Sequence, residues 1–118
     1  MEISEYNGWP NYPTWSMFTY ITDDEDLYKS TTEEAQRKLR EAVERIKLFN
    51  IQTETVEEIA TDNLAANMRV NYISYINDSI KDKFPDIMNL VKWVTNDIID
   101  WERISRYFIE EMSEQWRY

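Results

Sequence analysis

The distribution of glycine and proline constrains this chain more than any other feature. Its 118 residues include one glycine and three prolines, and three of these four, Gly8, Pro10 and Pro13, lie near the N-terminus. Only Pro85 interrupts the rest of the chain. Because glycine and proline are the strongest helix breakers, the uninterrupted remainder predicts α-helix. We therefore expect one all-α domain over residues 1–118, with about five helices and an irregular, aromatic-rich N-terminal arm at residues 1–13.

The clearest helix is predicted from about Thr32 to Phe49. Apolar residues recur there at alternating spacings of four and three, which places them on one face: Ala35, Leu39, Ala42, Ile46 and Phe49. Thr31 and Glu34 have the spacing of a capping box, and so do Ser30 and Glu33. The apolar face of this helix is expected to enter the core.

Three other helix starts follow from capping residues. Thr14 can cap a first helix, although the β-branched and aromatic residues after it also suit a strand. The acidic residues 23–26 form a turn or a second helix start. Thr55 caps a helix that extends to about residue 83, either continuous or broken near Asp62 and Asn63 or near Asn67, because asparagine and aspartate compete with the helical hydrogen bonds.

Two further helices are predicted in the last third of the chain. One begins just after Pro85, because proline is well accommodated in a first helical turn. The other is capped by Asp97 or Asp100 and turns its apolar residues inward: Trp101, Ile104, Phe108 and Met112.

Composition excludes several classes of function. Histidine and cysteine are absent, so the chain has no imidazole base, thiolate nucleophile or ordinary zinc site. We expect no enzyme, no metal and no cofactor. The formal net charge of −10 disfavours direct contact with nucleic acid or an anionic membrane and favours a basic protein surface. Because no apolar stretch approaches a membrane span and the N-terminus does not resemble a signal peptide, we expect a cytoplasmic protein.

The candidate partner-binding residues share a carboxylate on a charged helical surface. Asp23, Asp24, Glu25 and Asp26 are the first choice, and Glu33, Glu57 and Glu58 are the second. The acidic run lacks the glycine and the distant glutamate of a calcium loop, so a solvated helix start is the favoured structural interpretation. Carboxylates spaced along helices can also mimic the phosphates of nucleic acid, which is the functional interpretation.

The densest aromatic patch lies around the N-terminal arm and consists of Trp9, Tyr12, Trp15 and Phe18. Such side chains could anchor a partner in a pocket. Alternatively, the arm folds back and closes one end of the helical bundle, with the polar tips of the aromatic rings bonded to nearby backbone. We favour the second interpretation, a structural cluster, because aromatic residues beside glycine and proline turns usually pack inside.

Three segments carry a resemblance to a known group. Residues 7–15 read N-G-W-P-N-Y-P-T-W, residues 23–28 read D-D-E-D-L-Y, and residues 99–104 read I-D-W-E-R-I. This pattern resembles small acidic proteins encoded by bacteriophages, plasmids and other mobile elements, although Pro13 stands where that group usually has glutamate or alanine. The resemblance implies a genomic setting and brings no catalytic residues. Small acidic helical proteins of this kind often oppose host defences, as anti-restriction and anti-CRISPR proteins do.

Two functional hypotheses follow. The first is a non-enzymatic inhibitor that places its acidic surface on the basic, nucleic-acid-binding surface of a host nuclease or CRISPR effector. The alternative is a structural or regulatory homo-oligomer with no inhibitory role, in which the negative charge serves solubility alone.

Overall fold

The computed structural model describes residues 7–79 and 98–115. Four α-helices occupy these two ranges: α1 (Tyr12–Asp23), α2 (Glu25–Phe49), α3 (Val56–Ser79) and α4 (Trp101–Gln115). The described part of the chain contains no β-strand, so the expected all-helical class is confirmed and the strand alternative after Thr14 is wrong. The helix predicted after Pro85 lies outside the described residues, as does the capping candidate Asp97.

Helix α2 begins within the acidic residues 23–26, which confirms the helix-start alternative predicted for them, and it continues without a break through the helix predicted from about Thr32. Asp24 is its N-cap and accepts a hydrogen bond of 3.0 Å from the backbone N–H of Leu27, while Glu25 and Asp26 occupy the first turn. Carboxylates are favourable there because they face unpaired amides and the positive end of the helix dipole. The capping box predicted at Thr31 is wrong, because Thr31 lies inside the helix and its hydroxyl bonds to the Tyr72 hydroxyl at 2.8 Å.

The first helix is capped by Asn11 and not, as predicted, by Thr14. The Asn11 side chain accepts a 2.8 Å hydrogen bond from the Thr14 backbone N–H, and Pro13 sits in the first turn, where no amide is needed. The helix therefore starts inside the segment predicted to be an irregular arm. Gly8, with φ of 82°, forms the turn before it, a conformation that glycine adopts without strain.

The caps predicted for the third and fourth helices are confirmed. The Thr55 hydroxyl accepts from the Glu58 backbone N–H at 3.1 Å, and the Asp100 carboxylate accepts from that of Arg103 at 3.0 Å. Helix α3 continues without a break through residues 62–67, so the continuous form of the prediction is correct as far as Ser79.

The core lies between α2, α3 and α4, and α1 crosses α2 and α4. Every helix contributes buried apolar side chains, among them Met17, Ile21, Leu39, Leu64, Ile104, Phe108 and Ile109. The predicted inward stripe of α2 is confirmed at Ala35, Leu39 and Ala42. It is wrong at Phe49, which is 66% exposed because the helix ends there and the chain turns away. No helix in the described residues combines the length and apolarity needed to cross a membrane.

Candidate acidic binding surfaces

Helices α3 and α4 run antiparallel and lie close together. The buried Ser105 hydroxyl donates a 2.7 Å hydrogen bond to the Thr61 carbonyl oxygen, and the Ser113 hydroxyl donates a 3.0 Å bond to the Glu57 carboxylate. A small side chain at position 105 lets the two helices approach each other. Their exposed flanks then form the walls of one shallow groove.

This groove, of about 340 Å³, is lined by Glu57, Glu58, Thr61, Asp62, Glu102, Arg106 and Glu110. We call it the acidic groove. Its residues are spaced four apart on each helix, 58 and 62 on α3 and 102, 106 and 110 on α4, so each row keeps to one helical face. Two rows of carboxylates therefore face solvent across a single cleft between helices that the core holds in place.

The side chains that line the groove carry an excess of negative charge. Five carboxylates and one guanidinium give its lining a net charge of −4. Arg106 lies 3.9 Å from Glu102, and both side chains are more than half exposed, so this ion pair contributes little. Within residues 7–79 and 98–115 no group of three or more acidic side chains has the arrangement of a metal site. The groove can attract cationic side chains, and salt reduces the distance over which this attraction acts.

The first-choice acidic residues form a separate surface. Asp23, Asp24, Glu25 and Asp26 are all exposed and lie where α1 gives way to α2. We call this surface the acidic corner. Asp24 already accepts the capping hydrogen bond from Leu27, and the helix dipole stabilises the two carboxylates that follow it. The corner thus has a clear structural role as the start of α2.

The structure does not bring the corner and the groove together. Helices α2 and α3 are antiparallel, because Thr31 bonds to Tyr72 and Asn67 donates to Glu34 at 2.6 Å. Extending this register places Glu57 opposite about residue 45, some 20 residues along α2 from the corner. At 1.5 Å per residue the two acidic surfaces are about 30 Å apart. Glu33 is exposed on α2 and lies outside the lining of the groove.

A second cleft, of about 210 Å³, separates the early part of α2 from α3. The acidic residue in its lining, Glu34, already has three partners. Asn67 donates a hydrogen bond to its carboxylate, and Arg37 and Lys38 form ion pairs with it, that of Lys38 at 3.7 Å. Because these contacts neutralise the carboxylate, the second cleft offers no free charge to a ligand. The acidic groove is therefore the better candidate site.

The N-terminal aromatic residues pack largely inward. Trp9 is 8% exposed, and its ring lies 4.3 Å from that of Phe18 and 6.2 Å from that of Tyr107, centroid to centroid. The Arg103 guanidinium lies 4.6 Å above the Trp9 ring, a cation–π arrangement. Tyr12 and Trp15 form a more peripheral pair, with centroids 5.7 Å apart and Tyr12 46% exposed.

Hydrogen bonds join the first of the segments that carry the sequence resemblance to the last one and to Ile98 just before it. The Asn11 side-chain amide donates to the Ile98 carbonyl at 3.2 Å, and the Asp100 backbone N–H donates to the Thr14 hydroxyl at 2.9 Å. These residues hold the start of α1 against the start of α4. Asn11, Thr14 and Asp100 therefore belong to one structural junction.

Sequence reasoning did not select three of the groove carboxylates: Asp62, Glu102 and Glu110. The spacing of four along each helix was a usable signal, since it places charges in a row. Which two rows face each other depends on the packing of α3 against α4. That packing is a tertiary property that the helical pattern alone does not specify.

The fold and these surfaces define an acidic helical protein with a junction between the starts of α1 and α4 and an anionic groove between α3 and α4. Residues 2–83 match the model of a family of unknown function, DUF7249, which covers more than half of the chain. The chain belongs to this family. No curated protein and no solved structure is significantly similar to it.

Proposed function

We propose that this protein is a non-enzymatic binding protein that uses its acidic groove to occupy a basic, nucleic-acid-binding surface of another protein. The target class is a bacterial nuclease or defence complex of the restriction or CRISPR type. The proposal places the protein in the bacterial cytoplasm as the product of a phage or other mobile element. The observation that carries it is the groove itself, where two rows of carboxylates face solvent with one guanidinium among them.

Physical reasoning supports this use of the groove. A concave surface of one charge sign concentrates the electric field and raises the rate of encounter with an oppositely charged partner. Nucleic-acid-binding surfaces are rich in lysine and arginine, which would meet carboxylates here in place of phosphates. Because the carboxylates stand on packed helices, their spacing is largely fixed before binding, which lowers the entropy lost on association.

The proposal is tested with a panel of purified restriction endonucleases and CRISPR effector nucleases. Cleavage of a fluorescent DNA substrate is measured as the protein is titrated in, at salt concentrations from about 0.05 M to about 0.5 M. We expect inhibition of at least one nuclease and a rise in the half-inhibitory concentration with salt. Full activity of every nuclease at stoichiometric excess would contradict the proposed target class.

Two matched variants identify the contact surface. Glu57→Gln with Glu58→Gln and Asp62→Asn removes three charges from the groove, and Asp23→Asn with Glu25→Gln and Asp26→Asn removes three from the corner while keeping the Asp24 cap. Each exposed ion pair contributes up to about 1 kcal/mol, so we expect the groove variant to inhibit about tenfold less well. The corner variant should lose much less. Equal losses would mean that net charge alone matters, which would rule out the groove as the contact surface.

A further inference from the structure

The end of the bundle where α2 meets α3 exposes two adjacent apolar side chains. Leu48 is 78% exposed and Phe49 is 66% exposed, whereas most other large apolar residues with a described side chain are buried or half-buried. We call these two residues the apolar tip. These two neighbouring side chains form a small exposed apolar patch whose burial would be favourable.

The apolar tip is held in place by the backbone. Asn50 adopts the left-handed conformation, with φ of 50°, and its N–H bonds to the Ile46 carbonyl. The Ile51 N–H bonds to the same carbonyl at 3.1 Å, which makes a Schellman-type end to α2. Ile46 and Ile51 both pack against the core. This turn directs the chain back toward α3 and leaves Leu48 and Phe49 outside.

The charges around the apolar tip have a distinctive order. Arg45 and Lys47, in the last turns of α2, are exposed, and so are Glu54 and Glu58, in the following loop and the first turn of α3. These four side chains form no ion pair with one another in the described part of the chain. With the exposed Glu44 included, the α2 side of the tip carries a net charge of +1, and Glu54 with Glu58, which also lines the acidic groove, gives the α3 side a net charge of −2.

We infer that the apolar tip binds a second copy of this chain in a two-fold symmetric dimer. In a symmetric interface the same patch faces itself, and a two-fold axis that runs between the α2 and α3 sides brings the α2 side of one copy against the α3 side of the other. Arg45 and Lys47 of each copy then approach Glu54 and Glu58 of its partner, and the two apolar tips pack together. The patch is complementary to itself in charge, whereas a uniformly basic partner would place its cations against Arg45 and Lys47.

The inference also specifies a weak dimer. A stable interface takes about 800 Å² from each partner, and two side chains supply only part of that area. A net charge of −10 on each copy adds long-range repulsion, which physiological salt screens beyond about 8 Å. We therefore expect a reversible equilibrium that is visible between about 10 µM and about 1 mM protein.

The first test is sedimentation velocity of the full chain at physiological salt over that concentration range. We expect the weight-average mass to rise from monomer toward dimer. Leu48→Ser with Phe49→Ser should weaken the dissociation constant at least tenfold, whereas Val70→Ser, which removes a 66% exposed apolar side chain from α3, should leave it unchanged. A chain that stays monomeric throughout, as expected if another protein or nothing covers the tip, would overturn the inference.

A charge exchange tests the two-fold arrangement independently of the apolar residues. Arg45→Glu with Lys47→Glu makes both sides of the tip negative, and Glu54→Lys with Glu58→Lys makes both sides positive. Each variant alone should dimerise at least tenfold more weakly than the wild type, and an equimolar mixture should form the mixed dimer at near wild-type strength. Failure of the mixture to associate would refute the symmetric pairing, even if the wild type dimerises. Helical circular dichroism of each variant confirms that it is folded.

Discussion

The hydroxyl of Thr14 accepts a 2.9 Å hydrogen bond from the backbone N–H of Asp100, 86 residues away in sequence. Thr14 is fully buried in α1, and Asp100 is the N-cap of α4. One threonine side chain therefore satisfies an amide at the start of another helix. The bond ties the start of α1 to the start of α4, within two of the segments that carry the sequence resemblance.

We expect Thr14→Val to destabilise the protein by about 1–3 kcal/mol. Valine has nearly the shape of threonine but cannot accept the Asp100 N–H, so a partly buried donor loses its partner. Thr19→Val is the matched control, because the Thr19 hydroxyl bonds only to the Trp15 carbonyl of its own helix. The free energy of unfolding from urea titration should fall by less than about 1 kcal/mol in the control. Similar losses in both variants would argue against the special role of the long-range bond.

Trp9 provides a second test of the same junction. Its ring is buried against Phe18 and Tyr107, so Trp9→Ala should lower the free energy of unfolding by about 3 kcal/mol or more. Arg103→Gln removes only the cation above the ring and should cost about 0.5–1 kcal/mol. Tyr12→Ala deletes an aromatic ring that is 46% exposed and should cost less than Trp9→Ala. If Trp9→Ala unfolds at the wild-type urea concentration, the N-terminal segment does not contribute to the fold.

The sequence predicts the helical class and the buried faces well, for a physical reason. Spacings of three and four in the apolar residues report directly on which face of a helix leaves water. That signal correctly identified Leu39 on α2 and Ile104 and Phe108 on α4. It failed at Phe49, because periodicity does not reveal that α2 ends at this residue and that the chain turns away.

Helix starts were harder to predict where several capping residues compete. Asp24 and Thr31 both precede a plausible helix, and only the packing of α2 against α3 gives the Thr31 hydroxyl a partner inside the helix. For a similar reason the acidic groove itself was not predicted, although two of its carboxylates were second-choice binding residues. The predicted residues Glu57 and Glu58 lie on α3, whereas Glu102 and Glu110 on the other side of the groove lie on α4. The sequence of one helix does not specify which face of another helix packs beside it.

The buried pair Thr31 and Tyr72 should behave as one unit in stability measurements. Their hydroxyl groups are 2.8 Å apart and both residues are buried, so either Thr31→Val or Tyr72→Phe leaves the other hydroxyl without this bond. We expect about 1–2 kcal/mol of destabilisation from each single change and much less than the sum from both together. A double-mutant cycle by urea denaturation should give a coupling of about 0.5 kcal/mol or more. Strict additivity would show that the two hydroxyls do not interact.

We expect the Tyr107 phenol to make the free energy of unfolding depend on pH in the alkaline range. Burial raises the pKa of its phenol above the ordinary 10.0, and the negative charge of Glu111 and the nearby Tyr28 raise it further. The folded state therefore favours the neutral phenol. This contribution to stability is fully present below the unfolded pKa near 10 and is lost as the pH rises through the higher folded value.

We expect the wild type to lose stability more steeply than Tyr107→Phe between about pH 9.5 and about pH 11, because phenylalanine has no proton to release. Absorbance at 295 nm, which follows tyrosinate, should show a late-titrating group in the wild type that Tyr107→Phe removes. Glu111→Gln keeps the phenol but removes a neighbouring negative charge, so the same group should titrate at a lower pH in that variant. Superimposable titration curves for the wild type and Tyr107→Phe would show that this phenol does not titrate above its ordinary range.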